Sequence, residues 1–74
     1  MMEIVKAKTL KQGDVILVIR WSNLWKRMAP TTATVMDVTA FGNNLNIMAK
    51  AQDGMNEYIT DIFTNEDDEY EKIA

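Results

Sequence analysis

Two tryptophans and three cations fall within eight consecutive residues, Arg20-Trp21-Ser22-Asn23-Leu24-Trp25-Lys26-Arg27. An indole face beside a guanidinium stacks an unpaired base while neighbouring cations hold phosphates. Trp and Arg are also the side chains most enriched at the energetic centres of protein–protein interfaces. The competing structural reading has both indoles roofing a small core, with the cations merely solvated. At least one exposed tryptophan is expected. Arg20, Trp21, Trp25, Lys26 and Arg27 are therefore the candidate partner-binding residues. Lys6, Lys8 and Lys11 form a secondary basic stripe, because alternate strand residues share a face. The same lysines would also serve as an ordinary solubilising face that discourages edge pairing.

The acidic run Glu66-Asp67-Asp68-Glu69, with Glu71 beyond it, has neither the alternating spacing nor the glycine of a Ca²⁺-binding loop. It reads as a solvated turn. The chain contains no histidine and no cysteine. Disulfides, thiolate chemistry and Cys-type zinc sites are excluded, and so is the commonest general base. Gly13, Gly42 and Gly54 stand apart as turn residues and build no phosphate-cradling loop. The expectation is a protein that is not an enzyme, with no metal and no cofactor.

With 74 residues, 47% of them hydrophobic, the chain suffices for one folded domain over residues 1–74 and leaves little room for a deep cleft. Its formal charge is −3, unevenly spread. Residues 1–37 carry six cations against three acids, and residues 38–74 carry two against eight. That asymmetry gives a steering dipole if the halves stay apart, and none if strand pairing interleaves them. The longest apolar run, Val15–Ile19, is far too short to span a bilayer, and no signal-peptide pattern opens the chain. A cytoplasmic location without membrane contact is expected.

These residues must be positioned by strands. Glu3–Lys8 alternates loosely, and Thr9–Asp14 is a turn containing Gly13. Val15-Ile16-Leu17-Val18-Ile19 is β-branched at four of five positions and reads as a strand apolar on both faces. One long irregular loop is expected at about residues 21–31, with a helical turn around Asn23–Met28 ended by Pro30. Leu24, Trp25 and Met28 would cover the core from it. Thr32–Ala40 returns to strand, and Phe41-Gly42-Asn43-Asn44 turns the chain into Leu45–Lys50. Asp53-Gly54 closes a hairpin into Met55–Phe63, whose alternation slips near Thr60 as a bulge would. Glu69–Ile73 is the last strand. Val15, Leu17, Ile19, Val35, Val38, Ile47, Ile59 and Ile62 form the expected core, with Met28, Met36, Met48 and Met55 filling gaps.

Five to six short antiparallel strands with frequent turns predict an all-β fold, a small barrel. The layout resembles an SH3-like barrel. "LKQGD" at Leu10–Asp14 feeds an apolar strand, a longer first loop follows, and a meander leads to an acidic turn and a short final strand. That resemblance covers roughly residues 10–73. It implies an architecture that binds nucleic acid in some families and peptides in others. The basic first loop departs from the acidic loop of proline-peptide-binding SH3 domains.

The leading functional expectation is a non-catalytic binding module with a protein partner. Its size suits a regulatory or inhibitory accessory factor of the phage type. A net negative charge opposes the counterion release that drives non-specific nucleic-acid binding. Single-stranded nucleic acid held by the same loop is the alternative. Self-association into a homo-oligomer through an uncovered strand edge is the third.

Overall fold

The turn signals along the chain delimit six strands. The computed structural model describes residues 3–73. Its strands are β1 (Glu3–Lys6), β2 (Val15–Ser22), β3 (Arg27–Phe41), β4 (Asn44–Asp53), β5 (Asn56–Asn65) and β6 (Glu69–Lys72), with a single 3-10 turn at Ala7–Thr9. All pairings are antiparallel, in the order β1-β6-β2-β3-β4-β5. The all-β class and the six strands agree with the sequence. The sheet rolls without closing into a barrel, leaving β1 and β5 as its edges.

The long irregular loop at residues 21–31 is not present. Only Asn23–Lys26 form a turn, since Trp21 pairs with Met28 and Ser22 with Arg27 as the ladder continues. The Ser22 carbonyl accepts the Lys26 N–H at 2.8 Å, and the Ser22 hydroxyl accepts the Trp25 N–H at 3.1 Å. Lys26 takes the left-handed conformation at φ 56 that this four-residue hairpin turn needs. Pro30 lies within β3 opposite Ile19 and ends no helix. The β3–β4 ladder begins only at Ala33, and a strand segment with one free side tolerates a missing N–H.

β3 organises the roll. Its 15 residues, at about 3.3 Å each, would run about 50 Å if straight, yet the molecule's longest dimension is 35 Å. The strand therefore bends. Residues Arg27–Thr34 pair with β2 and residues Ala33–Phe41 with β4, so the two ladders overlap only at Ala33 and Thr34. The register shifts between Val35 and Asp37, which makes Met36 the extra residue of a bulge. No bulge occurs near Thr60, where the β4–β5 register is continuous. The slipped alternation there comes from Ile59 and Phe63, which face outward while Tyr58, Thr60, Ile62 and Thr64 alternate inward.

The concave face holds the core: Ile16, Val18, Ala33, Val35, Leu45, Ile47, Ala49, Ala51 and Ile62, closed by Ala7 and Leu10. Ala33 and Ala51 lie directly opposite each other, and such small side chains let the sheet curl tightly. Of the expected core, Val35, Ile47 and Ile62 are buried, whereas Val15, Leu17 and Val38 are half-buried. Ile19 and Ile59 are exposed. In β2 the inward residues are Ile16 and Val18, set by their pairing with Ala33 and Thr31. Leu24, Trp25 and Met28 are exposed and none belongs to the core. The segment after β1 supplies the cover instead, anchored by the Ala7 N–H on the Asp68 carbonyl at 2.8 Å. Nor do the methionines fill the core: Met28, Met36 and Met55 are exposed and Met48 is half-buried.

Candidate interaction surface on the β2–β3 hairpin

β6 reaches along β2 only as far as Leu17, and β4 reaches β3 only from Ala33 onward. Among the described residues, Val18–Ser22 and Arg27–Thr32 are thus a two-stranded arm to which no other strand is paired. Its two faces invert the usual size rule. The inner face carries small residues, with Ser22, Ala29 and Thr31 all buried. The outer face carries the cross-strand pairs Ile19–Pro30 and Trp21–Met28. Ile19 is 53% exposed, Trp21 54% and Met28 57%.

Contacts from the inner face explain this inversion. Ser22 Oγ donates to Asp53 Oδ1 at 2.7 Å, and the Asn23 N–H donates to Asp53 Oδ2 at 2.9 Å. The Ser22 hydroxyl is the main influence holding the Asp53 carboxyl below its ordinary value of 3.8; burial opposes it, and the Asn23 N–H adds to the lowering. Arg20 Nε lies 3.4 Å from Thr60 Oγ1 of β5, and Arg20 Nη1 donates to the Ile19 carbonyl at 2.9 Å. The arm is folded over the ends of β4 and β5, so only small or polar side chains fit beneath it. Between arm and β5 lies a cavity of about 420 Å³, lined by Arg20, Trp21, Asn56, Glu57 and Tyr58 with Asp53 at its end.

Trp21, Trp25, Lys26 and Arg27 are all exposed on this arm, with Trp25 at 64%. Trp21 Nε1 donates to Asn23 Oδ1 at 3.1 Å. By strand parity Trp21 shares the outer face with Met28, whereas Arg20 and Arg27, the latter opposite Ser22, belong to the other face. Residues 15–32 contain three cations and no carboxylate. Among the described residues, Arg20, Lys26 and Arg27 form no ion pair. The lysine stripe is elsewhere, on the far side of β6. Lys6 ends β1, Lys8 sits in the 3-10 turn and Lys11 follows it, so the three share no strand. Lys6 and Lys8 both reach Asp67, at 3.6 and 3.5 Å. Lys72 reaches Asp14 at 3.6 Å and Glu3 at 3.9 Å. Here the two charge halves of the sequence interleave.

Ile19, Met28 and Pro30 belong to the surface although their sequence context hid them. The signal was the alternation of Ile19 with Trp21, obscured because Ile19 closes an unbroken apolar run. In the acidic turn, Asp68 Oδ2 accepts from Thr64 Oγ1 at 2.6 Å and from the Asn65 N–H at 2.9 Å. These bonds, the Thr64 hydroxyl first, hold the Asp68 carboxyl below its ordinary value. Among the described residues, no group of three or more acidic side chains is placed to hold a metal ion. Among the described residues, no helix is long and apolar enough to cross a membrane.

No protein-family model, curated protein or solved structure matches the chain.

Proposed function

We propose that this protein is a non-catalytic binding module that engages a protein partner through the outer face of the β2–β3 arm. The observation that carries the reading is the pair of exposed cross-strand contacts, Trp21–Met28 and Ile19–Pro30, on a ribbon to which no other strand is paired among the described residues. Contiguous exposed apolar side chains rimmed by charge mark interaction sites, and Trp and Arg are the commonest anchors in them. Trp21 and Trp25 are the anchors in this reading, and Lys26 and Arg27 lie on the rim at the end of the arm, Arg27 opposite Ser22. Arg20 acts from the inner face by holding the arm against Thr60. The strand order supports placing the rolled sheet with the SH3-like small barrels. It has a meander from β2 to β5 with the last strand returning beside β2. A cytoplasmic regulatory or inhibitory factor, of the phage accessory type, is the corresponding role.

A second reading keeps the same arm and changes the ligand. Three cations without a carboxylate and two exposed indoles within residues 15–32 also suit single-stranded nucleic acid.

Tryptophan fluorescence separates the two, because both reporters sit on the arm. The protein reading expects emission indifferent to single-stranded DNA and RNA at low and physiological salt. Salt-sensitive quenching by oligonucleotide would replace it with the nucleic-acid reading. In a pull-down, Trp21→Ala and Trp25→Ala should each weaken capture of a specific partner, by about 30-fold for a true anchor. Unchanged capture by both folded variants would refute the arm as the interface.

A further inference from the structure

The two edges of the sheet are built differently. β1 is four residues long and carries Glu3 and Lys6. β5 runs for ten residues with no proline, no lysine or arginine and no break in register. Folded proteins usually blunt an open edge with shortness, cations, proline or a bulge. β5 uses none of these, and its charges are the two acids Glu57 and Asp61. Its outward side chains alternate acid and apolar: Glu57, Ile59, Asp61 and Phe63, with Ile59 51% and Phe63 68% exposed. The Phe63 ring lies 6.3 Å from that of Phe41, which widens the apolar surface beside the edge.

We propose that the β5 edge accepts a strand from a partner protein in which cationic and apolar side chains alternate. Main-chain bonds to an open edge supply affinity in strand addition, and alternate side chains supply specificity. The charge of this part of the sheet selects the chemistry. Residues 36–65 carry Asp37, Asp53, Glu57 and Asp61 against Lys50 alone. Lys50 Nζ sits 4.0 Å from Glu57, while among the described residues Asp61 meets the neutral Asn46 amide, at 3.4 Å, and no cation. Cations opposite Glu57 and Asp61, with apolar groups opposite Ile59 and Phe63, complement this row.

A second copy fits worse. Antiparallel pairing of β5 with itself would bring two copies of Glu57 and of Asp61 onto one ladder, and the cationic free edge of β2 is limited to Val18–Ser22 with Arg20 turned inward. The cavity between the arm and Asn56–Tyr58 leaves about 420 Å³ for one end of an added strand. This inference goes beyond the arm reading; the two surfaces meet only at this cavity, which Arg20 and Trp21 also line.

The test uses the full ¹⁵N-labelled chain and the peptide acetyl-Val-Thr-Lys-Thr-Val-Thr-Lys-amide. We expect chemical-shift changes and slowed amide exchange within residues 56–65, and none at β1. N-methylation of alternate peptide amides, or Glu in place of both Lys, should each weaken binding about ten-fold or more. Ile59→Thr should also weaken it while circular dichroism stays unchanged, and Trp25→Ser should not. Absence of binding would overturn the proposal, as would shifts confined to residues 19–30 or equal affinity for the Glu peptide or the N-methylated peptide. A chain that doubles in mass by light scattering, with β5 amides protected without peptide, would assign the edge to a second copy and overturn it too.

Discussion

Ser22 Oγ donates to Asp53 Oδ1 at 2.7 Å, joining the end of β2 to the end of β4 across the strand that separates them. One buried hydroxyl thereby fixes the roll of the sheet and the tilt of the arm. Its carboxylate partner also holds the Asn23 N–H, so the hairpin turn is tied at two points. With the inner face committed to these contacts, Trp21 and Met28 have nowhere to face but outward.

Ser22→Ala should therefore cost about 1 kcal/mol, because Asp53 loses a donor and the Trp25 N–H loses its acceptor. In a domain this small that is a fall of about 4–8 °C in melting temperature. An unchanged melting temperature would mean that the roll is held by the core alone.

Acid should loosen the same clamp. The Asp53 carboxyl is lowered mainly by the Ser22 hydroxyl, and the Asp68 carboxyl mainly by the Thr64 hydroxyl, both from an ordinary 3.8. A carboxyl lowered in the folded state contributes stability that is present above 3.8 and disappears as pH falls through the lower folded value. Melting temperature should drop as pH is taken from about 5 to about 2, and less steeply in Asp53→Asn and Asp68→Asn. Parallel profiles for wild type and both variants would contradict this.

Gly54 sits at φ +63, and a Cβ there would meet Leu24 Cδ2 at 3.3 Å. Gly42 has nearly the same backbone, φ +62, with nothing within 4 Å. Each Gly→Ala change should cost roughly 1–2 kcal/mol for the left-handed backbone. Urea unfolding should show Gly54→Ala as the more damaging of the two, the difference reporting contact between the two hairpin turns. Equal losses would show that Leu24 moves aside freely.

Ile16 is fully buried and Ile19, three residues on, is 53% exposed. Ile16→Ala should cost about 2–5 kcal/mol, whereas Ile19→Ala should stay within about 0.5 kcal/mol. Denaturant midpoints measure both. A large loss from Ile19→Ala would mean that the arm's outer face is packed and not free.

Local chemistry, readable in the residues alone, determined the strand content and most of the turns. β-branched runs disfavour helix, and Gly13, Gly42 and Gly54 each adopt positive φ where the chain reverses. The face of Leu45, Ile47 and Ala49 was legible because Asn46, Met48 and Lys50 alternate with it. The candidate site was legible as a cluster of residue types, and both of its indoles are exposed. Long-range pairing decided what local pattern could not. Five consecutive apolar residues carry no parity, so only the register with β3 turned Ile16 and Val18 inward and Ile19 outward. Pro30 reads locally as a helix breaker, and only the missing β4 neighbour makes it a strand residue. Arg20 reads as part of the cationic cluster, and the roll of the sheet turned it toward Thr60. The sheet stays open for a related reason. Alternation specifies which side chains face inward, but closure depends on whether the two edge strands meet, and β1 pairs with β6 and β5 with β4 but not with each other.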